Sequence, residues 1–165
     1  MAKKRESSGA RPPEGTQVVA RNRKAGHDYF LEDRLEAGLV LLGTEIKSVR
    51  ARQVSLREAF VRLENGEAWL MNAHIAPYEP ASRQNHDPRR PRKLLLQRKE
   101  LARLDEQVSQ RGYTVVPIQM LLRGGLAKVE IALARGKRKY DKRREIADRD
   151  ASREVERALR QRSKG

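Results

Sequence analysis

Along this chain the spacing of apolar residues switches between strand-like alternation and helix-like intervals. From Tyr29 to Leu35 apolar positions tend to alternate (Tyr29, Leu31, Leu35), as in a half-buried strand. Gly38 interrupts, and Leu39 to Val49 reads as a second, longer strand. Gly43 and Thr44 suit a bulge or bend within it, with Glu45, Lys47 and Ser48 at its far end. SLREAF predicts a short helix capped by Ser55, because Glu58 stands at capping-box spacing. Asn65 and Gly66 then separate two β-prone runs, the signature of a tight type I′ hairpin.

Beyond Ile75 the pattern breaks. Pro77, Pro80, Pro88 and Pro91 predict a long loop, and loops of that length inside a compact domain are usually functional or disordered. The run from Leu94 to Gly112 predicts an amphipathic helix, with Leu101, Leu104 and Val108 on one face and Gly112 as its stop. A second hairpin follows, turning at Gly124 and Gly125. There Val129, Ile131 and Leu133 alternate against Lys128, Glu130 and Ala132. Pro117 marks its strand as an edge or a bulge. Roughly six strands in hairpin order, one clear helix and one or two short ones make a mainly β protein. A small OB-like antiparallel barrel accommodates them best, since closure hides strand edges; a flat sheet backed by the helix is the alternative.

The last stretch, Gly136 to Gly165, has a different grammar. On a helix Arg149, Arg153, Arg157 and Arg160 share one narrow arc, while Ala147, Ala151, Val155, Ala158 and Leu159 lie roughly opposite. That alanine-rich face could bury little surface, and an isolated helix of this length is marginal in water. The tail is therefore expected to be helical when a polyanion neutralises its arginines. This divides the chain into a basic disordered arm (1–16), a barrel (17–135) and a conditionally helical tail (136–165).

Charge sharpens the picture. Among 165 residues, 37 are basic and 22 acidic, a net charge of +15 that calls for a polyanionic partner. Aromatic residues make up only 4%, which argues against a domain that stacks many bases. With no cysteine there is neither disulfide nor thiolate metal site. There is no apolar run near the length of a membrane span, and the basic N-terminus lacks the apolar stretch of a signal peptide; a cytoplasmic protein is expected.

Catalytic patterns are sparse. His27, His74 and His86 lie on three separate segments without ligand spacing, so no metal or other cofactor is expected. Asn85, His86 and Asp87 could form a metal nuclease site with His86 as base and Asp87 on the metal, but no second carboxylate cluster accompanies them. The plainer reading is an Asx-type turn that orients the basic run behind it (Arg89, Arg90, Arg92, Lys93). Binding without catalysis is expected, and the protein is not read as an enzyme. The basic residues sit in a loop and a tail rather than on one recognition helix, which favours folded RNA read by shape and backbone.

The runs RNRKAGHDYF, EAGLVLLGTEIKSVR, NGEAWLMNAHIAPY, NHDPRRPRKLLL, GYTVVP, KVEIALARGK and YDKR occur in that order between Arg21 and Arg143. In them the chain resembles the small protein B family, the SsrA-binding proteins of bacteria. The resemblance implies a six-stranded OB-like barrel with about three helices. It also implies binding to the tRNA-like domain of transfer-messenger RNA (tmRNA), and delivery of that RNA to stalled ribosomes for trans-translation. Matched motif by motif, Asn22, Glu36, Leu95 and Lys128 would lie at the tmRNA interface, with Lys47, Arg89, Arg90, Arg92 and Lys93 as further contacts. Lys137, Arg138, Lys139, Tyr140, Asp141, Lys142 and Arg143 would reach the decoding region, and Arg149, Arg153, Arg157 and Arg160 the vacant message channel. Tyr140 stands where many members carry histidine. Implied partners are tmRNA, small-subunit ribosomal RNA and, as a further candidate, elongation factor Tu carrying the charged RNA. A constitutive ribosomal-RNA-binding or ribosome assembly protein is the rival reading of the same charge.

Overall fold

The computed structural model describes residues 15–137 and 139–163, except for the side chains of 82, 83, 139–142, 144 and 145. Its elements in chain order are β1 (Thr16–Arg21), α1 (Arg23–Asp28), β2 (Tyr29–Leu39), α2 (Gly43–Arg50), β3 (Val54–Ser55), β4 (Phe60–Glu64) and β5 (Glu67–Met71). They continue with β6 (His74–Ile75), a 3-10 turn (Glu79–Gln84), β7 (Arg92–Leu95), α3 (Arg98–Arg111), β8 (Thr114–Arg123), β9 (Leu126–Gly136) and α4 (Lys139–Arg162).

Local chemistry places the turns. Asn65 and Gly66 both hold positive φ (50° and 71°), as do Gly124 and Gly125 (57° and 78°), so both two-residue hairpins form where turn chemistry predicts them. Gly112 ends α3 in the left-handed conformation, and Gln97 with Glu100 forms a capping box at its start. Pairing then runs β8–β4–β5–β7–β2–β9 and back to β8, every pair antiparallel. Six strands thus close a ring, and β1 adds along the rest of the β8 flank. Leu70, Ile75, Val115, Met120, Val129, Ile131 and Leu133 fill the core, and α3 contributes Leu104. Each such side chain, fully buried, stabilises the fold by about 1.5–3 kcal/mol. Pro117 sits at the register shift between Pro117 and Gln119, so it marks a bulge in a central strand rather than an edge.

The sequence pattern misleads in four places. Leu39 to Val49 is not a strand: β2 ends at Leu39, and Gly43–Arg50 is α2. Its buried face carries Glu45, Ser48 and Val49, at helical spacing, but two of the three are polar and disguised that period. SLREAF is not a helix either. Ser55 ends β3, its hydroxyl accepts from the Arg57 amide at 3.5 Å, and Ala59 N donates to Leu56 O in a single turn. Leu56 and Ala59 are buried there, so the segment is a core-facing link into β4. The proline-rich segment is folded, with the 3-10 turn at its centre. Asn85 clamps its base, accepting from Tyr78 N at 2.9 Å and donating to Tyr78 O at 2.8 Å. Leu94 and Leu95, read as the start of the helix, belong to β7.

Candidate nucleic-acid interface

Three expected contact residues converge on the outer face of the barrel. Gly38 on β2 pairs with Leu95 on one side and Lys128 on the other, and Glu36 lies one outward step along β2. Leu95 is 56% exposed, an apolar side chain held in solvent. A Cβ at Gly38 would stand 3.2 Å from that of Leu95, so any side chain there would displace it. Lys93 borders the same depression and ion-pairs with Glu67 at 3.2 Å; both are well exposed, so the pair is worth little and leaves the ammonium available.

Register adds residues that the linear pattern did not reveal. Glu36 and Glu130 are directly opposite across β2 and β9. Like charges so placed repel unless neutralised. Arg123 donates to Glu36 at 2.6 Å, Gln119 to Glu130 at 2.6 Å and Arg34 to Glu130 at 3.5 Å. Glu130 and Lys128 lie on one face of β9, the hint the sequence offered; Gln119 and Arg34 reach Glu130, and Arg123 reaches Glu36, only once the strands have paired.

A second basic group gathers around α2 and the loop behind it. The Lys47 ammonium lies 5.3 Å from the Tyr78 ring centroid, and Arg89 is exposed. The Asp87 carboxylate accepts from Arg89 N at 2.9 Å, which is the expected Asx-type turn. Arg90 is half-buried, its Nε donating to Glu45 at 2.7 Å.

Arg92 corrects the expectation placed on it. Its guanidinium is fully buried, donating to Glu45 Oε2 at 3.1 Å, Ala73 O at 2.6 Å and Pro88 O at 3.1 Å. No phosphate can reach it. Burial lowers its pKa from the ordinary value, and the Glu45 carboxylate opposes that shift. Asn22 is also a scaffold residue: it is buried, its amide donates to Pro117 O at 3.0 Å, and its Oδ1 caps α1 through Ala25 N. The fold leaves the Arg92 side chain no surface for RNA contact, and Asn22 only a small one. His86 is likewise unsuited to act as a nuclease base. It is buried between Thr44 Oγ1 and Ile75 O, each at 2.9 Å. Among the described residues no group of three His, Cys, Asp or Glu could hold a metal ion.

The tail forms a continuous 24-residue helix, α4, about 36 Å long. Arg143, Arg149, Arg153, Arg157 and Arg160 are exposed, and so are Ile146, Val155 and Leu159. Lys139, Tyr140, Asp141 and Lys142 lie in its first turn, but their side chains are outside the described set, as is Arg138 altogether. Lys137 precedes the helix, with its ammonium 3.1 Å from Gly26 O.

A closed six-stranded barrel with partly exposed lysines among carboxylates on its outer face and an arginine-lined helical extension defines a small β-barrel nucleic-acid-binding protein. No described helix is long and apolar enough to cross a membrane. The SmpB protein family model matches residues 19–161, and the chain belongs to that family. It is 59% identical over 149 residues to the SsrA-binding protein of Roseiflexus castenholzii, covering 90% of this chain and 94% of that one. The SsrA-binding protein of Thermobifida fusca is 55% identical over 160 residues, with 97% and 98% covered. A chain of the solved structure "tmRNA-SmpB: a journey to the center of the bacterial ribosome" matches with a TM-score of 0.62 and 50% identity. That match covers 72% of this chain and 84% of the other.

Proposed function

We propose that this protein acts in the cytoplasm, binds the tRNA-like domain of tmRNA and delivers it to stalled ribosomes. One observation carries this reading: the family match runs unbroken from barrel through tail. The outer face around Gly38 supplies the RNA grip, with Lys128 and Lys93 toward phosphates and Leu95 toward an exposed sugar or base. Arg89 and Lys47 extend it, and Arg90 supports them from its bond to Glu45. The tail follows the empty message path. A row of arginines reads backbone rather than sequence, so it tests whether an anionic passage is vacant. Lys137 to Arg143 would then lie at the decoding region and Arg149 to Arg160 beyond it. The chemistry required is binding alone.

Crosslinking in cells followed by sequencing of the attached RNA tests the proposal. One dominant small RNA plus decoding-site fragments is the expected result. Ribosomal RNA alone, with equal occupancy of idle and stalled particles in sucrose gradients, would instead mark a constitutive ribosomal component. For Lys128→Ala we expect weaker tmRNA binding and a log–log salt slope shallower by about one unit or less; an unchanged slope would make Lys128 structural. Severed from the barrel, a peptide of residues 136–165 should give a mostly coil circular dichroism spectrum and gain helix on adding polyanion. A peptide stably helical in plain buffer contradicts conditional folding.

A further inference from the structure

The root of the tail is held by contacts that the RNA grip does not use. Phe30 on β2 pairs directly with Arg135 on β9, and the Arg135 guanidinium carbon lies 5.1 Å from the centroid of the Phe30 ring. Two residues on, the Lys137 ammonium lies at the same distance, 5.1 Å, from the same ring. Lys137 is pinned twice more: its backbone N donates to Asp28 O at 2.9 Å and its Nζ to Gly26 O at 3.1 Å. Both acceptors are carbonyls of α1, which Asn22 caps and ties to Pro117. Two like charges flanking exposed Gly136 would otherwise repel; the ring's electron-rich face attracts both. The chain is therefore fixed at residue 137, and the helix begins at Lys139.

We propose that Phe30, with Arg135 and Lys137, is a positioning socket that sets the direction in which α4 leaves the barrel. Its role rests on the tail-insertion reading above. The leverage is large. On a helix of about 36 Å, a tilt of about 30° at the root moves the far end by roughly 18 Å, enough to miss a narrow passage. Phe30 touches neither the Gly38 face nor the arginine row, so the socket acts through the tail's bearing.

The chain has no cysteine, so spin labels at Gln110→Cys on α3 and Ile146→Cys on α4 report the bearing of the first two turns without interference from fraying farther out. The otherwise unaltered full chain should give a narrow distance distribution. Phe30→Leu keeps apolar bulk but loses the ring, and Lys137→Met keeps the stem but loses the charge; each should broaden the distribution. Phe30→Leu should also leave tmRNA affinity unchanged and slow tagging on stalled ribosomes by about tenfold or more; Lys137→Met is read by the distance distribution alone, because Lys137 also belongs to the decoding segment. Phe30→Tyr should restore both width and tagging. An unbroadened distribution in Phe30→Leu and Lys137→Met overturns the socket, and so does broadening with full tagging, because direction would then not matter. Failure of the unaltered chain to bind tmRNA would be seen separately and would sink the underlying reading instead.

Discussion

Ending the chain after Gly136 should abolish tagging on stalled ribosomes while leaving tmRNA affinity nearly intact at physiological salt. The removed segment carries twelve basic and six acidic residues, but none of those described belongs to the outer face around Gly38. β9 is complete at Gly136, so the six-strand ring survives the cut. What disappears is the arginine row, exposed throughout its described length and built for an extended anionic track. At low salt the truncated chain should lose some attraction for any RNA, since long-range steering scales with net charge. Binding titrations at two salt concentrations, set beside a tagging assay, separate these effects. Loss of tmRNA affinity at both salts would mean that the tail is part of the grip.

The largest stability effect should come from a residue that contacts no RNA. Glu45→Gln is nearly isosteric, so it opens no cavity; it removes the charge and turns one of the two acceptor oxygens into a donor. That charge is fully buried against Arg92, itself fully buried, with Arg90 on the second oxygen. Removing one partner of a buried pair strands the other; the expected loss is about 3–5 kcal/mol, or roughly 6–20 °C in Tm. Arg90→Ala should cost far less, because that side chain is 32% exposed and its site can admit water. The triad holds α2 against the loop that presents Arg89, so Glu45→Gln should also weaken tmRNA binding in proportion to the disorder it introduces. A thermal melt within a few degrees of the parent would show that water or a rearranged Arg92 supplies the missing partner.

These two experiments probe different kinds of information. The tail's arginine face was legible by spacing alone, since i, i+4, i+8 and i+11 repeat one helix face whatever the rest of the chain does. Both hairpin turns were legible for the same local reason: Asn65–Gly66 and Gly124–Gly125 tolerate positive φ where other pairs would strain. The helical period of Gly43–Arg50 is hidden in the linear pattern because two of its buried residues, Glu45 and Ser48, are polar. A carboxylate can be buried only beside a cation, and that cation lies 47 residues later, on β7. No local window contains both.

The candidate site divides along the same line. Sequence alone determined the polyanionic character of the partner, the absence of thiol chemistry, the turns, the helix stop at Gly112 and the arginine-striped tail, each a matter of composition or short-range geometry. Only the tertiary structure decided which cations are available. Arg92 and Lys93 are neighbours on β7, yet strand alternation turns Arg92 inward to Glu45 and Lys93 outward to solvent. Closure of the ring brought Glu36, Leu95 and Lys128 around Gly38, and pairing register added Glu130 and Arg123. The physical reason is the range of the interactions: turn and helix preferences act within a few residues, while burial, register and charge pairing exist only once distant segments meet.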